Sequence, residues 1–66
     1  MPIIQVNLLR GRSTEVKRKY AAELTKLTSE CLDARPEAVR IIFNEMEHEN
    51  YAIAGTLVAD KEKAGS

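Results

Sequence analysis

The segment Ile3-Ile4-Gln5-Val6-Asn7-Leu8-Leu9 reads as a β-strand with apolar groups on both faces, within a chain of only 66 residues. Side chains alternate across a strand, so Ile4, Val6 and Leu8 share one face while Ile3 and Leu9 join Gln5 and Asn7 on the other. A strand of this kind needs cover on both sides. One helix can supply the first cover, and little of so short a chain is left to supply the second. A domain of this size buries about 60% of the surface its unfolded chain exposes. Small domains make up the shortfall with disulfides, a metal or partner subunits. Cys31 is the only cysteine, so no disulfide can form within the chain. His48 and Cys31 are the only soft ligands and lack zinc-like spacing, so no metal is expected. Self-association is the remedy that remains.

Beyond the first strand the pattern turns helical. Gly11 marks a turn, Ser13 is a favourable N-cap, and Glu15 places a negative charge in the first helical turn. Val16, Tyr20, Leu24, Leu27, Cys31 and Leu32 recur mostly at spacings of three or four, which predicts one apolar face on a helix ending near Leu32. Cys31 is expected in the core beneath that face. Asp33-Ala34-Arg35-Pro36 stops the helix, since the residue before a proline is biased away from the α region. Pro36-Glu37-Ala38 suits a single helical turn. Val39-Arg40-Ile41-Ile42-Phe43 is a second, mostly apolar strand. Two strands joined by a long helix form a right-handed β-α-β unit with parallel pairing. Glu47 to Asn50 reads as a loop, and Tyr51 to Val58 as a short strand or hairpin. The fold class is therefore α+β: one domain over residues 1–60, assembled into oligomers, with a mobile tail over 61–66.

Charge and composition exclude several functions. Ten basic and ten acidic residues are interspersed, with no basic stripe of the kind nucleic-acid binders carry. Tyr20, Phe43 and Tyr51 are too few to make a base-stacking platform. No apolar run approaches the ~18 residues of a membrane span. The N-terminus lacks the charged and long apolar regions of a signal peptide. A single unpaired cysteine then fits a cytoplasmic setting.

Pro2 is the residue richest in chemistry. Methionine before a small residue is the usual context for initiator removal, which would leave Pro2 as the N-terminus. Its nitrogen is then a secondary amine able to accept a proton, return it, or attack a carbonyl. At the start of a buried strand, desolvation lowers the pKa of such an amine, and a nearby arginine pushes the same way. A base poised near the working pH is what proton transfer at carbon requires. Should Met1 stay, the same nitrogen is an amide and no base exists.

Pro2-Ile3-Ile4-Gln5-Val6, followed by Leu8-Leu9-Arg10-Gly11-Arg12-Ser13 and a helix, resembles the 4-oxalocrotonate tautomerase family. The likeness continues through Leu32-Asp33-Ala34, Val39-Arg40-Ile41-Ile42, Asn44-Glu45-Met46 and Tyr51-Ala52-Ile53-Ala54-Gly55. It implies a cofactor-independent isomerase that interconverts the enol and keto forms of a 2-oxo acid, such as a 2-hydroxymuconate-like dienol. It further implies that Pro2 is the catalytic base and acid, and that Arg12 grips the substrate carboxylate. Arg40 would bind the carbonyl side and draw electron density, and Tyr51 would stand where the family places an aromatic wall, often phenylalanine. The sites would be assembled between subunits of a homohexamer, a trimer of dimers. Physically, a guanidinium presents a planar fork that matches a carboxylate.

Other residues receive plainer readings. Arg10 is expected to be structural, with its side chain turned away from Arg12, although some family members are acidic there. His48 is expected to be a solvated loop residue, and Glu45 and Glu47 to be surface charges. Haloacrylate dehalogenation, known in relatives of the fold, would want a further arginine and a carboxylate where this chain has Leu9 and Ala52. A non-catalytic subunit of a mixed oligomer is the alternative that a retained Met1 would favour.

Overall fold

Ile4, Val6 and Leu8 alternate with Ile3, Gln5 and Asn7 along β1 (Ile3–Leu9), and the half-buried members are those turned towards the helix. The computed structural model describes residues 1–65. After β1 come α1 (Thr14–Leu32), a 3-10 turn at Pro36–Ala38, β2 (Arg40–Met46), a second 3-10 turn at His48–Asn50, β3 (Ala52–Ile53), β4 (Thr56–Leu57) and α2 (Val58–Gly65). β1 and β2 pair in parallel from Ile3 opposite Arg40 to Leu9 opposite Met46. The expected β-α-β unit is present. β2 runs further than its apolar stretch, because Asn44, Glu45 and Met46 still find partners in Asn7, Leu8 and Leu9.

Local chemistry sets the ends of α1. Ser13 is extended (φ −72°, ψ 160°) and its hydroxyl accepts a hydrogen bond from the Val16 amide at 3.2 Å. At the far end Asp33 takes the left-handed conformation (φ 52°, ψ 47°) and donates its amide to the Ser29 carbonyl. The arm beyond β2 turns at Ala54 and Gly55, both with positive φ (52° and 84°), as a tight antiparallel hairpin demands.

One expectation is corrected. The helix face that meets the sheet comprises Lys17, Ala21, Leu24, Thr25 and Thr28, not the whole predicted stripe. At 100° per residue, Val16, Leu27, Tyr20, Cys31 and Leu24 fall within an arc of about 80° that only borders the sheet-facing arc. Val16, Tyr20, Leu27 and Cys31 are accordingly exposed, and Cys31 is no core residue of this chain. Beyond residue 60 the backbone continues α2 to Gly65, and Ser66, the last residue of the expected tail, lies outside the described residues.

No apolar residue among those described is fully buried, and Thr28, 7% exposed, is the one buried polar residue. The radius of gyration is 15.4 Å, against the ~11 Å typical of a compact chain this long. The sheet face away from α1 shows Ile3 (61% exposed) and Ile42 (51%), and the hairpin arm shows Ile53 and Leu57. Both faces of the first strand are thus apolar, and only one of them is covered within the chain.

Candidate active site

Parallel strands begin at the same end, and this places Pro2 and Arg40 together. The Arg40 amide donates to the Pro2 carbonyl at 3.0 Å, which extends the ladder one step before β1. Pro2 is half-buried and Arg40 is exposed on the face away from α1. The Arg40 Nε donates to the Met1 sulfur at 3.0 Å, so the guanidinium lies against the residue that precedes Pro2. While Met1 is attached, the Pro2 nitrogen is an amide and cannot take up a proton.

Arg12 is at the opposite end. The Arg10 amide still bonds to the Met46 carbonyl at 2.9 Å, after which Gly11 turns the chain with φ 130°. A Cβ at Gly11 would meet nothing within 4 Å, so backbone conformation, not space, favours glycine there. Arg12 and the capping Ser13 follow at the entrance to α1. The seven residues of β1 span about 23 Å, which separates Arg12 from Pro2 by several times the length of a small oxo acid. One chain therefore cannot bring both residues to the same small molecule.

Arg12 borders a cavity of about 520 Å³ whose other charged walls are Arg10, Lys17, Glu45 and Glu47. Arg10 Nη1 donates to both Glu47 carboxylate oxygens, at 3.1 and 3.0 Å. That hydrogen bond and the carboxylate's charge raise the Arg10 pKa above its ordinary value. Lys17 Nζ donates to Glu45 Oε1 at 2.8 Å. No ion pair or hydrogen bond engages the Arg12 guanidinium among the described residues. On the apolar side, Arg12 and Lys17 flank a smaller cavity of about 230 Å³ floored by Val6, Leu8 and Phe43. Phe43 there stands 6.2 Å from the Tyr20 ring, centroid to centroid.

The remaining candidates lie on the C-terminal arm. Tyr51 closes the second 3-10 turn, its carbonyl accepts the Val58 amide at 2.8 Å, and its side chain is half-exposed. It lines none of the three cavities that border Arg12. His48 is half-buried and faces Leu8, Leu9 and Arg12 across another cavity, so it is more than a solvated loop residue. Among the described residues no three His, Cys, Asp or Glu side chains are grouped to hold a metal, and no helix is long and apolar enough to cross a membrane.

Sequence reading missed the pairings of Lys17, Glu45 and Glu47. The two glutamates, expected as surface charges, each engage a cation, and Lys17 lies outside the apolar stripe that the sequence marks. One signal was available for Glu47. With β1 and β2 in parallel, the residue after Leu9 comes level with the residue after Met46, and those residues are Arg10 and Glu47.

Comparison with known proteins gives a uniform result. The sequence model described as tautomerase enzyme matches residues 2–61. A 2-hydroxymuconate tautomerase of Bacillus subtilis is 34% identical over 62 residues, which cover 94% of this chain and all of that protein. A structure from work on the 4-oxalocrotonate tautomerase isozymes of Methylibium petroleiphilum is 44% identical with a TM-score of 0.92, covering 96% of this chain and 98% of that one. A heterohexamer 4-oxalocrotonate tautomerase from Chloroflexus aurantiacus has a chain 28% identical with a TM-score of 0.85, covering 91% of this chain and 97% of the other. With the β-α-β unit and the hairpin arm in place, this chain belongs to the tautomerase enzyme family.

Proposed function

We propose that the chain, once Met1 is removed, ketonises the enol or dienol of a small 2-oxo acid of the 2-hydroxymuconate type, with the Pro2 amine as base and then acid. The observation that carries this reading is the Arg40 guanidinium lying against the residue before Pro2, at the shared end of the parallel pair. A fixed positive charge beside the amine disfavours its protonated form and leaves it able to accept a proton near neutral pH. The amine takes the enol hydroxyl proton, the carbonyl forms as the double bond shifts, and the resulting ammonium delivers the proton to carbon. Nothing is consumed, and no cofactor enters the step. Arg40 holds the carbonyl and carboxylate end, where negative charge develops in the transition state.

Arg12 grips a carboxylate of the same substrate from a second subunit, and Tyr51 supplies an apolar wall. The assembly is a homo-oligomer, and a hexamer suits it. Exposed Ile3 and Ile42 on the outer sheet face, and Val16, Tyr20 and Leu27 on α1, give each chain two apolar surfaces to bury against its copies. A cytoplasmic setting accords with this role.

The test couples mass to rate. Intact mass should lack methionine, and the purified protein should speed ketonisation of 2-hydroxymuconate in a Pro2-dependent manner. Pro2→Ala should lower kcat/KM by about 100-fold or more, since a weaker, misplaced primary amine remains. Processed protein with no activity on any enol of a 2-oxo acid, or with activity indifferent to Pro2→Ala, would refute the reading.

A further inference from the structure

The Arg10–Glu47 bridge links the end of β1 to the turn after β2, two residues before Arg12 on one strand's exit and four before Tyr51 on the other's. Both side chains are mostly exposed (65% and 51%), and ion pairs of that kind contribute little to stability. Its consequence is electrostatic. Arg10, Arg12 and Lys17 line one cavity, and the two carboxylates facing them are each engaged by a different cation: Glu47 by Arg10 and Glu45 by Lys17. Three cations against two carboxylates leave one net positive charge, and that charge belongs to Arg12.

We infer that Glu45 and Glu47 determine how much anionic charge the Arg12 cavity accepts, by occupying Lys17 and Arg10 so that Arg12 alone is free to receive one carboxylate. This rests on the reading of Arg12 as a substrate-binding residue and extends it to residues that do not touch the substrate. Glu47 is a positioning residue in this scheme. It holds Arg10 in the cavity wall and cancels its charge. Removing the carboxylate frees a second guanidinium on the wall of the same cavity. A freed cation about 6 Å from a substrate carboxylate in water attracts it enough to change binding about threefold.

The experiment compares two substrates, a dicarboxylate enol (2-hydroxymuconate) and a monocarboxylate enol (an aryl enolpyruvate), at low ionic strength. Glu47→Gln is expected to lower KM for the dicarboxylate about threefold relative to the monocarboxylate. Its kcat should stay within twofold of wild type, and the gain should vanish at 0.5 M salt. Glu45→Gln should act in the same sense through Lys17. Arg10→Gln leaves Glu47 unpaired and should raise KM for the dicarboxylate. The exchanged pair Arg10→Glu with Glu47→Arg keeps the net charge and should restore wild-type preference, which a loss of local folding would not allow. Equal changes for both substrates, a fall in kcat alone, or a salt-insensitive effect would overturn the inference. Arg12→Ala run in parallel separates the two failures. If it leaves KM for the dicarboxylate unchanged, the Arg12 reading fails and this inference with it. If it raises that KM while the glutamate variants do not discriminate, only this inference fails.

Discussion

Mixing two inactive variants tests whether Pro2 and Arg12 meet across a subunit boundary. β1 holds them about 23 Å apart in one chain, so the proposed site draws one from each of two chains. Pro2→Ala removes the base, a loss of about 100-fold or more. Arg12→Ala removes charge-assisted hydrogen bonds worth about 1.5–3 kcal/mol, or about 10- to 150-fold in kcat/KM. Now let the two be denatured together in equal amounts and refolded into random oligomers. Half the chains carry an intact Pro2 and half an intact Arg12, and a site draws them independently. About one quarter of the sites are then whole, and activity should climb to about a quarter of wild type. Native mass spectrometry verifies the mixed oligomers, and loss of dienol absorbance gives the rate. Mixed oligomers whose rate stays at the mean of the two parents would refute the separation, since a site built within one chain regains nothing by mixing.

Three further substitutions probe the scaffold, each measured at one protein concentration because assembly and stability are linked. Ala54→Asn should raise stability by about 0.5–1 kcal/mol in urea unfolding, because Ala54 sits at φ 52° where Asn is better tolerated; an unchanged midpoint would mean the turn carries no strain. Ser13→Ala should lower stability by about 1 kcal/mol through the lost bond to the Val16 amide, and a change below about 0.3 kcal/mol would show that the cap is idle. Ile42→Asp puts a charge on the outer sheet face, now 51% exposed, and should shift native mass to smaller species with loss of activity; a full-sized, active assembly would exclude that face as an interface.

Elements specified by local chemistry were legible in the sequence. The N-cap at Ser13, the stop before Pro36 and the apolar alternation of β1 each depend on neighbours within a few positions, and each is found where expected. α2 was missed because Val58 continues the apolar character of the hairpin. The Ala-, Lys- and Glu-rich stretch after it also favours helix only weakly without packing. The helix face went astray for a different reason. Hydrophobic periodicity marks every apolar residue that is buried somewhere, and it cannot separate a residue covered by its own sheet from one that waits for another chain. Leu24 belongs to the first kind, while Val16 and Leu27 are left more than half exposed by this chain.

The same distinction governs the site. Pro2, Arg12, Arg40 and Tyr51 are proposed site residues because of the family resemblance, and the strand read over Ile3–Leu9 already sets the first two apart. The strand that creates the uncovered apolar face is also the strut that holds Pro2 away from Arg12, the two halves of the proposed site. Shortening β1 to bring Pro2 and Arg12 together in one chain would remove Ile3 or Leu9 from the outer face. The chain would then lose the surface that draws its copies in. The apolar excess of β1 and the division of the site are therefore two consequences of one seven-residue segment, and a substitution that relieves the first should abolish activity through the second.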